Sequence, residues 1–320
     1  MIKTDFNNMN FEDLGKIMAG ASLKVALIVN FTIGVMKMFV GILTASAAMI
    51  SESYHSFADT FNQILLAVGI RLSRRSPDLE HPFGYRKNQF FWSFIVGILL
   101  FGMSGILALI TGFEKIRANE EFHGDNFIWN IVVLVVAIGL EFFAFRTAYK
   151  EAQKYKKLTE SDSIMQAIDE MQDPVLLALL VEDSLALIGL TVALIGVVIT
   201  YISENTFYDG LTSIFIGIIL IVGGLLLARE NQNYLIGKSV TDKTKLVIND
   251  IVTGFESVET LLSRKTMLLG PKDMILTLDV IFKNDVEDLT VEIDKLEAKL
   301  IEAIPYLTAN KIFIEAQHAD

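Results

Sequence analysis

Two short stretches of this 320-residue chain place titratable groups inside long apolar runs. The first is SESYHSFADTFNQ, residues 51–63. Within it His55 and Asp59 are spaced i, i+4, which on a helix puts them on one face, a turn apart. In that geometry an imidazole nitrogen and a carboxylate oxygen can both reach one divalent cation. The plain alternative is a hydrogen bond from His55 to Asp59 or to a neighbouring helix. Charged groups in hydrocarbon are costly and mostly functional, which favours the metal reading. The second stretch is LALLVEDSLALIGL, which holds Glu182 and Asp183. Adjacent residues point about 100° apart on a helix, so only one of the two acids is ideally aimed at a shared site. A carboxylate bonded to Ser184 would leave two neighbouring acids without a base, and a cation explains the pair better. His55, Asp59, Asp183 and Glu182 together would offer one nitrogen and several oxygens.

Other polar residues in apolar surroundings carry weaker signals. Asn62 lies seven residues after His55, on nearly the same helical face, and suits a hydrogen bond to a metal ligand. Asn30 and Lys37 fall in the first apolar run; they line a watery cavity, or Lys37 snorkels to an interface. Glu141 sits in the fourth run without a partner that the sequence names. Asp209 opens the sixth run and suits a helix cap. His81 lies in the turn-rich SPDLEHPFGYRKNQF, where Asp78 and Glu80 could help it hold a secondary metal; a surface turn docking on the membrane serves equally well. His123 reads as solvated. His318, with Glu315 and Asp320, is a weak metal candidate.

The elements that must position these groups are membrane helices. The chain is 52% hydrophobic and 20% charged, with unevenly spread charges; its mean hydropathy is +0.48. That is too apolar for an ordinary soluble domain. Six apolar runs near the ~20 residues that cross hydrocarbon as a helix are expected. They are Ala21–Leu43, Ala45–Ile70, Phe90–Phe113, Ile128–Tyr149, Pro174–Ile202 and Leu211–Ala228. Basic residues cluster in two connections: Arg71, Arg74, Arg75, Arg86 and Lys87, then Arg146, Lys150, Lys154, Lys156 and Lys157. Those loops and both termini are therefore expected on the cytoplasmic side. There are no cysteines, and the net charge of −11 argues against a nucleic-acid partner. The polar N-terminus shows no signal-peptide pattern, which points to a prokaryotic inner (plasma) membrane.

Three segments are expected: a cytoplasmic stretch 1–20, a transmembrane domain 21–230 and a water-soluble domain 231–320. In the last, TDKTKLVINDIVTGF reads as an amphipathic helix and VETLLSRKTMLLG as a strand that turns at Gly270-Pro271. DMILTLDVIF alternates, with Met274, Leu276, Leu278, Val280 and Phe282 on one face. DLTVEIDKLEAKLIEAI reads as a helix and KIFIEA as a final strand. The expected result is an α+β domain with helices on one face of a three-stranded sheet.

From about Lys16 to Ala316 the chain resembles the cation diffusion facilitators, a family of metal-ion/proton antiporters. ESYHSFADTFNQ is similar to the family's second-span signature, and HPFGYRK to the loop after it. FEKI and DGLTSIFIGIILI also fit, and SRKTMLLGPKDMILTLDV resembles the middle of the family's cytoplasmic domain. The resemblance implies a ferredoxin-like cytoplasmic domain, a homodimer, and metal binding by His55 and Asp59. Zinc-transporting members usually carry a second His-x-x-x-Asp on span five. Here Leu179 stands four residues before Asp183, and Glu182 is the obvious substitute. One imidazole with two or three carboxylates suits zinc, and it also suits manganese, ferrous iron or cobalt. The cytoplasmic domain lacks the several histidines that bind structural zinc between protomers in some members.

No GxxxxGK[ST] loop is present, which speaks against ATP coupling. Metal binding needs neutral His55 and ionised carboxylates, so it releases protons. The expected activity is efflux of a divalent cation, zinc first, against protons by alternating access, with no enzymatic step and no required cofactor. Two other classes compete: a proton-coupled transporter or channel for a non-metal solute, and a membrane-anchored sensor or scaffold. The first would show no stabilisation by metal; the second leaves the buried acids without a purpose.

Overall fold

The computed structural model describes residues 21–118, 122, 127–159, 161–171, 173–271, 273–304 and 307–318. The chain opens with α1 (Ala21–Leu43) and α2 (Ala47–Ser73), joined by a turn in which Ala45 takes a φ of 48°. Ser46 caps α2 by accepting from the Met49 amide. Next comes α3, Asn88–Ala118, an α-helix interrupted by a π-helical stretch at Leu100–Ile106. The long α4 (Phe127–Thr159) leads through the short α5 (Ile164–Met171) to α6 (Pro174–Ser203). Asp173 accepts from the Val175 and Leu176 amides, and Pro174 fills the first helical position, so the start of α6 is fixed by sequence. After Glu204, at φ 51°, the chain reverses into α7 (Phe207–Ile236).

Four of these helices are long and apolar enough to cross a membrane: Asn88–Ala118, Phe127–Lys157, Pro174–Ser203 and Phe207–Ile236. The 27-residue α2 falls short on apolarity because of its polar stretch, and that stretch is buried. Ser51, Glu52, Ser53, His55, Ser56, Asp59, Thr60 and Asn62 all face the bundle. Many large apolar side chains are exposed on these helices, among them Phe31, Phe39, Phe61, Phe143, Ile195 and Leu226. A surface of that kind is not stable in water and belongs in hydrocarbon. Helices α3 and α7 pack closely along small residues. A Cβ added to Gly112 would come within 2.6 Å of the Gly210 carbonyl oxygen, so the two backbones meet where only hydrogen fits.

The C-terminal region forms α8 (Asp242–Thr253), β1 (Val258–Gly270), β2 (Asp273–Phe282), α9 (Leu289–Ala303) and β3 (Ile312–His318). The sheet order is β1-β2-β3. β1 pairs antiparallel with β2, Leu261 opposite Val280 and Leu268 opposite Met274. β2 pairs parallel with β3, Leu276 opposite Ile312, so α9 is the crossover between them. The expected apolar face of β2 is the core: Met274, Leu276, Leu278, Val280 and Phe282 are buried with Ile248 and Val252 of α8 and Leu296 and Leu300 of α9.

This core also takes in Phe90 from the first turn of α3 and Tyr234 from the last turn of α7. Their rings stack 4.7 Å apart. Beside them Asp273 receives Lys311 at 2.5 Å and Arg86, from the loop before α3, at 3.4 Å. Helices and sheet are thus fastened by shared apolar packing and by a buried carboxylate between two cations.

Candidate metal centre

The site is built on α2, whose polar face points into the bundle, bonded to α1 through Lys37 and to α6 through Glu182. The His55 Nε2–Asp59 Oδ2 distance is 3.7 Å, longer than a hydrogen bond. Two ligands on a tetrahedral zinc ion stand about 3.4 Å apart, given metal–ligand bonds near 2.1 Å. The pair is therefore close to the spread of two ligands of one cation. Both ring nitrogens of His55 and the Oδ1 of Asp59 are buried and make no hydrogen bond among the described residues. Buried polar atoms without partners are rare and expensive, and three on one helical face point to a ligand.

Across from them, α6 contributes its two acids unequally. Glu182 is buried, and its Oε1 accepts from Asn62 Nδ2 at 2.8 Å, so a hydrogen bond spans α2 and α6. Asp183 is half-buried. Both lie within electrostatic reach of Asp59, and so does the buried Glu141 of α4. Asn62 bonds to Glu182 and not to His55. Among the described residues, no three of the His, Asp and Glu side chains converge as a ready-made metal cage. The four expected ligands are thus divided into His55 with Asp59 and Glu182 with Asp183.

Two expectations are corrected. Lys37 does not snorkel or line open water. It is 1% exposed and donates to Glu52 Oε2 at 3.1 Å and to Ser56 Oγ at 2.9 Å. Asn30 stands half-buried two turns earlier on α1, apart from these bonds. Asp209 does not cap its own helix. From the first turn of α7 it accepts from Ser46 Oγ at 2.7 Å and from the amides of Ala47 and Ala48, and so caps α2. His81 stacks on Tyr85, ring centroids 4.2 Å apart, while Asp78 accepts from the His81 and Glu80 amides and the Tyr85 hydroxyl. Those bonds close a loop, in which His81 Nδ1 lies 3.7 Å from the Asp78 carboxylate and both side chains are about half exposed. His123 and the side chain of His318 lie outside the described residues.

Sequence reasoning missed Glu52 within SESYHSFADTFNQ. The signal was present: a lysine in an apolar run needs an acid, and Glu52 is the nearest one within a span.

A model of the cation efflux transmembrane domain matches residues 23–236. The protein of Xenopus laevis named proton-coupled zinc antiporter SLC30A9, mitochondrial, is 30% identical over 233 residues, which are 73% of this chain and 40% of that protein. Metal tolerance protein C4 of Arabidopsis thaliana is 29% identical over 253 residues, 78% of this chain and 54% of its own length. The chain belongs to the cation diffusion facilitator family. Magnetosome protein MamM of Paramagnetospirillum magneticum is similar over a shorter part, 30% identical across 116 residues and 36% of each chain. This facilitator spans about half the length of the first two relatives. Its family is one of membrane transporters of metal cations and not of enzymes.

Proposed function

We propose that this facilitator exports a divalent metal cation in exchange for protons, with zinc the first candidate and manganese, ferrous iron and cobalt the next. His55 and Asp59 begin the site; Glu182, oriented by Asn62, and Asp183 complete it when α6 moves toward α2. The observation that carries this reading is the set of atoms on His55 and Asp59 without a hydrogen bond among the described residues, together with an α6 acid already tied to α2. Burying several carboxylates together is unfavourable unless charge is supplied. A divalent cation supplies it in one state and protons in the other, so the two ligands exclude each other. That exclusion is the exchange.

The architecture proposed with it is a bundle of six membrane spans, α1, α2, α3, α4, α6 and α7, followed by a ferredoxin-like cytoplasmic domain. It works as a homodimer in the lipid bilayer, each protomer alternating between inward and outward access. The domain segments 1–20, 21–230 and 231–320 belong to the same proposal, as do the cytoplasmic termini and a prokaryotic inner membrane.

The test is transport in proteoliposomes under an imposed pH gradient, with zinc, manganese, iron and cobalt offered separately. His55→Ala and Asp59→Ala are expected to abolish flux of whichever metal the wild type carries. Near-normal flux in both variants would overturn the site, and flux indifferent to the pH gradient would overturn the exchange.

A further inference from the structure

The buried ion pair between α1 and α2 has a place in transport that the metal site alone does not explain. Lys37 and Glu52 are 1% and 0% exposed, and their bond is 3.1 Å. Glu52 lies three residues before His55 on α2, so it shares the ligand-bearing face, about 4.5 Å along the axis. Its second oxygen, Oε1, is buried and makes no hydrogen bond among the described residues. That oxygen fits against α6 at Gly189, where an added Cβ would stand 2.7 Å from it. Glu52 is therefore a carboxylate with one oxygen held and one open, seated between the same two helices that carry the metal ligands.

Order along α2 gives its direction. At the end of the bundle away from the sheet domain is a cavity of 480 Å³, lined by Ser46, Asn130, Thr200 and Asp209 among others. From there α2 presents Ser51, Glu52, His55 and Asp59 in turn, all buried. Glu52 thus stands between that cavity and the metal site. Lys37 lies within electrostatic reach of Glu52, His55, Asp59 and Glu141. It is a cation tethered among the carboxylates that would attract the cargo.

We propose that Glu52 is a further cation-binding carboxylate on the path between the metal site and the distal cavity, and that Lys37 is its built-in occupant, displaced by the divalent cargo. This rests on the metal-export reading. Lys37 then holds the empty carrier's charge in balance, and its competition limits how tightly the cargo is kept.

Equilibrium binding of Zn²⁺ to the purified full chain in nanodiscs, by isothermal titration calorimetry, tests it. A static clamp and a competing cation differ in sign. Lys37→Gln is expected to tighten zinc binding about tenfold, because a nearby positive charge is gone. Glu52→Gln is expected to weaken it by a similar factor, because Lys37 loses its partner and turns its charge on the site. The double variant, which leaves neither charge unpaired, is expected within about threefold of wild type since the two effects offset each other. Equal signs for the two single changes, or no shift in either, overturn the proposal.

Zinc-induced infrared difference spectra keep the question decidable if a single variant does not fold. A carboxylate band that shifts in the wild type and is missing from the double variant is expected; identical difference spectra overturn it. The combined His55→Ala, Asp59→Ala variant separates the two readings. If it binds zinc like wild type, the metal-site assignment fails, whatever the Lys37 variants show.

Discussion

Single side chains decide whether α2 can receive an ion, and two neighbours of the ligands test that. Asn62 holds Glu182 toward α2 through one 2.8 Å bond. Removing such a partner of a ligand typically weakens metal binding about 10–100-fold. Asn62→Ala is accordingly expected to raise the zinc dissociation constant at least tenfold in calorimetry while leaving the fold intact. Gly189 is tested by adding one methyl. Gly189→Ala pushes a Cβ to 2.7 Å from Glu52 Oε1, and overpacking of this kind costs about 1–3 kcal/mol. The thermal unfolding midpoint should fall, and it should fall less when Glu52→Ala opens the space. The relation of His55 to Asp59 was legible in the sequence because it is local, four residues on one helix. Asn62 with Glu182 was not, because 120 residues separate them and only the packing of α6 on α2 brings them together. Lys37 was in view and Glu52 was not, because the crossing of α1 and α2 chooses the partner.

Elements carry the next set of effects. Asp209 of α7 holds the first turn of α2, and with it the start of the polar face that leads to His55. Replacing a cap of this type costs about 1–2 kcal/mol. Asp209→Ala is expected to speed hydrogen exchange at the amides of Ala47 and Ala48 and to leave α8 and the sheet unaffected. The α2–α3 connection offers a pH test. The Tyr85 hydroxyl, then the His81 and Glu80 amides, hold the Asp78 carboxyl below the usual carboxylate range. A lowered pKa in the folded state contributes stability that is present above the unfolded value and is lost as pH falls through the folded one. Protection of the Glu80 and His81 amides should hold steady down to about pH 4, the ordinary aspartate value, and drop below it. Tyr85→Phe should move that drop upward. β1 and β2 were legible to the residue because β2 alternates between buried and half-buried positions and Gly270-Pro271 separates the two, whereas KIFIEA begins one residue before β3 and stops two short of its end. The role of Asp209 was not legible, since a residue at the start of one helix gives no hint that it closes another 162 residues away.

At the scale of the molecule, helices and sheet share one apolar core through Phe90 and Tyr234. Truncating a buried phenylalanine costs about 3–5 kcal/mol. Phe90→Ala should therefore lower the stability of both regions, and calorimetry should resolve two transitions where the wild type shows one. The change from apolar to charged sequence near Asn231 is real, but it falls within α7, which continues to Ile236. Composition reports what the solvent is, and packing reports which parts fold together; at this junction the two differ by a helical turn or more.

The shared core bears on how the sheet domain can be studied by itself. A fragment begun at Gly237 would leave behind both stacked rings and Arg86, one of the two cations on Asp273. Its newly bared patch would be sticky, and two such fragments could cover each other there. An association seen in the isolated piece would then record the cut, and not how the intact chains meet.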